Sequence, residues 1–202
     1  MESLRIGHRI FPAKRTIYRE GDVAREMYML FEGWAFRYKL LPGGRRQILS
    51  FLLPGDPVSL PLLITDRLPF SVQALTNVTA CAFDRASFAE FVSAQPALMR
   101  QAEIYCLAAN AMADDRLTDL GRRSAYERVA RLVSELLNRM EAKALTTRSP
   151  MHFPLGQTHI ADALGLTAIH SGRVLRRLRR DGILSLHRGR LEILDRAALQ
   201  RI

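Results

Sequence analysis

The sequence predicts an α+β chain, with strands first and helices last. Three observations lead there. Residues 8–93 alternate short apolar runs with Gly and Pro breakers. A long helical pattern opens at Pro96. Two short helices at 157–180 are followed by two short strands at 182–194. The 202 residues are enough for one large or two modest domains with their own cores.

In the first part, Met27 to Phe31 and Trp34 to Leu41 read as strands, with Glu32-Gly33 between them. Pro42-Gly43-Gly44 is a turn and Gln47 to Leu53 the next strand. Pro54-Gly55-Asp56-Pro57 breaks it. Ser71 to Leu75 and Val78 to Phe83 are expected to pair across Thr76-Asn77. Strands this short and closely spaced imply an antiparallel barrel or sandwich. Asp84 reads as the cap of a short helix through Val92.

From Leu98 the positions Leu98, Ala102, Tyr105, Ala109, Met112, Arg116 and Asp119 keep a 4-3 spacing, the seam of a coiled coil that turns polar at its end. This is expected to be a parallel dimer helix. A second apolar line, Ile104, Leu107 and Ala111, is then free to pack on the strands. The alternative is a helix packed only on its own domain. Leu120-Gly121-Arg122-Arg123 interrupts the pattern and suggests a hinge. The expected division is therefore 1–95, 96–120 and 121–202.

Ser124-x-x-Glu127 is a capping box for a helix with Val129, Leu132, Val133, Leu136, Leu137 and Met140 at helical spacing. Leu145 to Pro154 reads as a loop. Gln157 to Leu164 is a helix with Ile160, Ala161 and Leu164 on one face, small Ala161 marking a close helix approach. Gly165 supplies the left-handed residue of a sharp turn. Thr167 caps a second helix over 168–180, with Val174, Leu175 and Leu178 inward and Ile169, His170, Arg173 and Arg177 on another face. This is a helix-turn-helix layout, whose second helix enters the DNA major groove. Residues 182–187 and 191–194 form strands around Arg188-Gly189-Arg190, a wing whose tip carries arginines where a phosphate backbone would lie. Asp195 to Ile202 closes the chain as a short helix.

The charge is concentrated at the same end. Residues 1–120 hold 14 Lys and Arg against 13 acids, and residues 121–202 hold 16 against 7. Fifteen of those 16 cations are Arg, which grips phosphate or guanine with two hydrogen bonds. A basic lobe beside a neutral one suggests a polyanion partner at one end. The lobe argues against a regulatory module that only meets other proteins. No nucleophile–base pairing, metal-ligand spacing or phosphate loop suggests an enzyme. Neither a membrane-length apolar run nor a signal-peptide core is present, which gives a cytoplasmic expectation. Cys81 and Cys106 are too few for a metal cluster and read as two buried thiols. No cofactor is expected. A basic helix that touches membranes or RNA is the remaining competitor.

The chain resembles the Crp/Fnr family of bacterial transcription regulators over nearly its whole length. The motifs are EGD at 20–22, the Gly33 turn, GGRRQI at 43–48, LPGD at 53–56, SVQALT at 71–76, ERVARLVSELL at 127–137, ADALGLT at 161–167 and GRVLRRLRRDGIL at 172–184. The resemblance implies an N-terminal jelly-roll sensor domain of the cyclic-nucleotide-binding type, a dimerisation helix and a winged helix-turn-helix. It also implies double-stranded DNA, a second copy of the chain and RNA polymerase as partners.

The departures concern the sensor. Cyclic-nucleotide binders of the family carry a Gly-Glu pair after the PGD turn and an Arg-Ser or Arg-Thr in the next strand. Here Val58-Ser59-Leu60-Pro61-Leu62-Leu63 and Phe70-Ser71 stand there, so a cyclic phosphate would lack its cation unless Arg67 substituted. The cysteine set of the iron–sulfur branch is absent, and His8 is the only histidine before residue 152, which leaves little for haem. The effector readings are none, an apolar molecule near Leu60, Leu62, Phe70, Ser71 and Tyr105, or a cyclic nucleotide held unusually. On the recognition helix the family's arginine is retained as Arg173, whereas Ala168 and Ile169 replace the usual Arg-Glu. Arg173 is expected to read guanine O6 and N7. Thr167, Ile169 and His170 are expected to contact neighbouring bases, and Arg177 a base or a phosphate. Gln157, Thr158 and Arg188 are expected to hold phosphates. Ser171 falls at an inward position, where its hydroxyl is expected to bond back to the helix.

Overall fold

The computed structural model describes residues 4–146 and 149–202. It forms two compact units, one ending at Ala113 and one running Asp114–Ile202.

The first unit has seven strands: β1 (Arg5–Phe11), β2 (Thr16–Tyr18), β3 (Glu26–Glu32), β4 (Ala35–Leu40), β5 (Arg46–Leu52), β6 (Ser71–Ala74) and β7 (Val78–Asp84). They make two antiparallel sheets, in the orders β1-β7-β3 and β2-β6-β4-β5. Leu30, Ala35, Leu52, Leu62, Val72 and Ala80 belong to the core cluster. Gly33 has φ +87°, and a Cβ there would lie 2.1 Å from the Asn77 carbonyl oxygen. The β3–β4 turn is therefore seated directly on residues 76–77. That seating explains a difference from expectation. Ser71–Ala74 and Val78–Asp84 do not pair as a hairpin, because the Leu75 and Thr76 N–H groups donate to the Trp34 carbonyl and the chain crosses between sheets.

α1 (Arg85–Ser93) starts at Asp84, whose carboxylate accepts from the Ser87 N–H at 2.9 Å. α2 (Pro96–Arg122) is one unbroken helix that passes through Gly121, so the expected hinge there is a helical residue. The boundary between units lies inside this helix.

The two faces of α2 differ in exposure. Leu98, Ala102 and Tyr105 face their own unit, where they line a cavity of about 370 Å³ beside Met27, Met29 and Phe88. Ala109 and Met112 are also half-buried within the chain. Ile104 and Leu107, the line expected to pack on the strands, are 48% and 68% exposed. The polar end of the seam is taken by ion pairs: Arg116 to Glu135 at 2.6 Å, and the buried Asp119 to Arg123 and to Arg131. Carboxylates and guanidiniums sit at apolar spacing because they meet oppositely charged partners.

The residues of the expected effector pocket do not share one cavity. Leu60 and Tyr105 line the cavity, but Leu62 is fully buried in the core. Phe70 is buried under the Arg37 guanidinium, 4.9 Å from its ring, and the Ser71 hydroxyl accepts from the Glu20 N–H at 3.0 Å. Arg67 donates to the Gly21 carbonyl at 2.7 Å. The thiols differ from expectation too, Cys81 being half-buried and Cys106 exposed.

The second unit contains α3 (Ala125–Ala142), β8 (Met151–His152), α4 (Gln157–Leu164), α5 (Ala168–Arg180), β9 (Leu184–His187), β10 (Arg190–Ile193) and α6 (Arg196–Arg201). Ser124 and Glu127 complete the capping box of α3, whose apolar stripe is buried from Val129 to Met140. The expected loop 145–154 contains β8, which makes the wing three-stranded in the order β8-β10-β9. Residues 147–148 of that loop lie outside the described residues. Among the described residues no helix is long and apolar enough to cross a membrane.

Candidate nucleic-acid interface

The interface is built on α4 and α5. Gly165 ends α4 at φ +64°, the left-handed residue of the turn. The Thr167 hydroxyl accepts from the His170 N–H at 3.1 Å and caps α5. Val174, Leu175 and Leu178 bury the inner face of α5 on the core of this unit. The opposite face is therefore held outward. Thr167, Ile169, His170, Arg173 and Arg177 surround one hollow on it. Ile169 is 69% exposed, unusual for a large aliphatic side chain on a helix with a buried face available. Arg173 is exposed and has no hydrogen bond or ion pair among the described residues.

Arg177 is different. Its guanidinium lies 4.8 Å from the centre of the Tyr126 ring and 3.6 Å from the Asp181 carboxylate. The Tyr126 hydroxyl donates to the same carboxylate at 2.9 Å. Burial, then that hydrogen bond, raise the Tyr126 pKa, so the phenol keeps its proton. Arg177 is thus held by the protein at the far end of the row.

The packing role of Gly172 was not legible in the sequence. A Cβ there would meet the Gln157 side chain at 2.6 Å, so α5 touches α4 through a bare α-carbon. A signal existed: glycine inside an exposed helix costs about 1 kcal/mol against alanine. Gln157 and Thr158 are exposed at the α4 N-terminus, where the His159 ring accepts from the Gly156 N–H at 3.1 Å. The other end of α4 is closed by Arg128, which donates to the Leu164 carbonyl at 3.1 Å.

The wing turns at Arg188-Gly189, with φ +47° and +73°. Two left-handed residues make the hairpin turn whose twist matches the strands. The second suits glycine; the first strains an arginine and holds it exposed at the tip. Ser171 is fully buried, and its hydroxyl oxygen has no partner, against the expected bond back to the helix.

Comparison with known proteins fits this geometry. A family model described as a cyclic nucleotide-binding domain matches residues 8–95, and one described as a Crp-like helix-turn-helix domain matches residues 127–202. The chain is 35% identical over 199 residues to the nitrogen fixation regulation protein FixK of Bradyrhizobium diazoefficiens, covering 98% of this chain and 82% of that one. It is 34% identical over 188 residues to the transcriptional activatory protein AadR of Rhodopseudomonas palustris, covering 93% and 77%. The solved structure of FixK2 from Bradyrhizobium japonicum superposes with a TM-score of 0.83 at 27% identity, covering 96% of this chain and 95% of that one. Two sheets, a long helix and a winged helix-turn-helix, in that order and at that likeness, have one reading: the chain belongs to the Crp/Fnr family of transcription regulators.

Proposed function

We propose that the protein is a cytoplasmic homodimer that reads a two-fold DNA site through α5, meets RNA polymerase there, and needs no cyclic nucleotide. The observation that carries the reading is the unpaired Arg173 on the outward face of a helix whose inner face is locked in a core. A guanidinium left free in that position offers two parallel donors to guanine O6 and N7. His170, Ile169 and Thr167 flank it and take the neighbouring base edges or a thymine methyl. Thr158, Gln157 and Arg188 lie at the edges of this surface and take phosphates. Arg177, stacked on Tyr126, is better placed for a phosphate than for a base.

The dimer assignment moves to the line that α2 leaves outward. Met99, Glu103, Cys106, Asn110, Ala113, Leu117 and Leu120 keep a 4-3 spacing, and all seven are exposed in the single chain. Leu117 is 72% exposed. A second copy packed in parallel along this line buries those side chains, and Asn110 in an otherwise mainly apolar seam fixes its register. Against a cyclic nucleotide stands the barrel interior, where Leu62, Leu68, Phe70 and Val72 already fill the space.

Selection of duplexes from a random library by the purified protein, with nothing added, tests the proposal. Enrichment of a palindrome with half-sites about 34 Å apart is expected. Arg173→Ala should weaken binding by about 1–3 kcal/mol and relax preference at one base pair per half-site. An unchanged site preference in Arg173→Ala would remove the arginine from its assigned role.

A further inference from the structure

The cavity in the first unit is bounded by β3 and β7 of the β1-β7-β3 sheet, by residues 55–63 and by the helices α1 and α2, at the edge of the core, where Met27, Tyr28, Leu63 and Phe88 also pack on the core cluster. Cross-strand register accounts for most of its strand lining. Leu30 pairs with Ala80 and Tyr28 with Ala82, and the two alanines and Leu30 are buried on the core side. Met27 pairs with Phe83 and Met29 with Cys81, so these four belong to the opposite face. Met27, Met29 and Phe83 form the cavity floor, Phe88 and Val92 one wall, and Leu98, Ala102 and Tyr105 of α2 another.

Its size and chemistry are specific. The hollow is partly open to solvent. A volume of about 370 Å³ lies in the range of small-molecule sites. The lining contains four aromatic rings and two methionines and, among the described residues, no charged side chain. Methionine thioethers adapt to irregular shapes and make favourable contacts with ring edges. Gln101 and Tyr105 are the polar residues that α2 brings to the lining. Burying an ionised ligand here would leave it without a counter-charge, which the desolvation cost forbids.

We propose that this cavity binds an uncharged aromatic molecule of two or three rings with a single hydrogen-bonding substituent. The rings lie on Met27, Met29 and the phenylalanines, and the substituent meets Gln101 or Tyr105. Because Ala102 and Tyr105 belong to α2, an occupant fastens that end of the long helix to the sheet. The site is separate from the DNA surface, and its test does not depend on DNA binding.

The probe is 2-naphthol, with 2-naphthoate as its charged counterpart, added to full-length protein carrying 13C-methyl methionine. The Met27 and Met29 methyl signals are expected to shift together with 2-naphthol, while those of Met140 and Met151 stay. The naphthoate should bind at least about tenfold more weakly, since its charge gains no partner. Ala102→Phe fills the cavity and should abolish the shifts in a folded protein. Should that variant not fold, Leu63→Phe serves in its place. No shift of Met27 and Met29 up to the solubility limit of 2-naphthol overturns the proposal. So does naphthoate binding equal to naphthol, or binding that persists in the folded, filled variant.

Discussion

Two residues of α5 and the wing separate stability from function. Ser171 has a buried hydroxyl without a partner, and leaving such a group unsatisfied costs on the order of 1–3 kcal/mol. Ser171→Ala is therefore expected to raise the denaturant midpoint by an amount equivalent to about 1 kcal/mol and to leave duplex affinity unchanged. A lower midpoint would mean that the hydroxyl has a role in the fold. Arg188 sits at φ +47°, a conformation costing an ordinary residue about 1–2 kcal/mol that asparagine tolerates better. Arg188→Asn should be more stable by up to about 1 kcal/mol and bind duplex more weakly, with a shallower salt dependence. If affinity and salt slope both stay at the wild-type value, Arg188 holds no phosphate. Strain at an exposed tip, with a cation as the strained residue, is the pattern that links a backbone outlier to a task.

At the scale of elements, α2 is the informative one. Both of its faces carry residues at 4-3 spacing, and only the surroundings tell them apart. The line from Leu98 to Asp119 is occupied by the chain's own cavity and by ion pairs, whereas the line from Met99 to Leu120 is outward. A parallel helix pair along the second line brings each Cys106 against its own copy near the two-fold axis. Diamide, which takes two hydrogens from a pair of thiols, should then link the dimer through a Cys106–Cys106 disulfide. Non-reducing electrophoresis reads this directly: the linked species should vanish in Cys106→Ser and persist in Cys81→Ser. A protein that sediments as a dimer yet fails to link at Cys106 would place the seam elsewhere.

For the molecule as a whole, one cluster contributes to the pH dependence of the first unit at both ends of the range. The Arg9 guanidinium hydrogen-bonds Glu26 and holds its carboxyl below the ordinary glutamate value, with the Tyr28 hydroxyl donating to the same group at 2.8 Å. A lowered carboxyl contributes stability above its unfolded pKa, and that contribution is lost as pH falls through the lower folded value. Tyr28 is pushed up to about 12, chiefly by burial, so its contribution is complete below 10 and lost as pH rises toward 12. Trp34, the chain's one tryptophan, is buried in this unit and reports its unfolding by fluorescence. Glu26→Gln should flatten the acid limb of that stability profile and begin the alkaline limb at somewhat lower pH without abolishing it, since burial remains the chief cause of the raised Tyr28 value and the Glu26 carboxylate adds to it. An acid limb as steep as in the wild type would show that other carboxylates dominate it.

Strand alternation, the Gly and Pro breakers, the Ser124 and Thr167 caps and the Gly165 turn were sufficient to place the elements from β3 onward by residue, β8 excepted, whereas β1 and β2 were not placed. Each is a local rule, acting within a few residues, and local rules are written in the order of the chain. The concentration of arginine after residue 120 marked the DNA lobe for the same reason. What the sequence could not decide was which of two equivalent faces meets which neighbour. The packing of Leu98, Ala102 and Tyr105 around the cavity, the crossing of Ser71–Ala74 and Val78–Asp84 into different sheets, the contact of Gly172 with Gln157 and the stacking of Arg177 on Tyr126 all join residues distant in sequence. Burial and counter-charge at those contacts come from partners that only the tertiary structure supplies, and spacing along one helix carries no record of them.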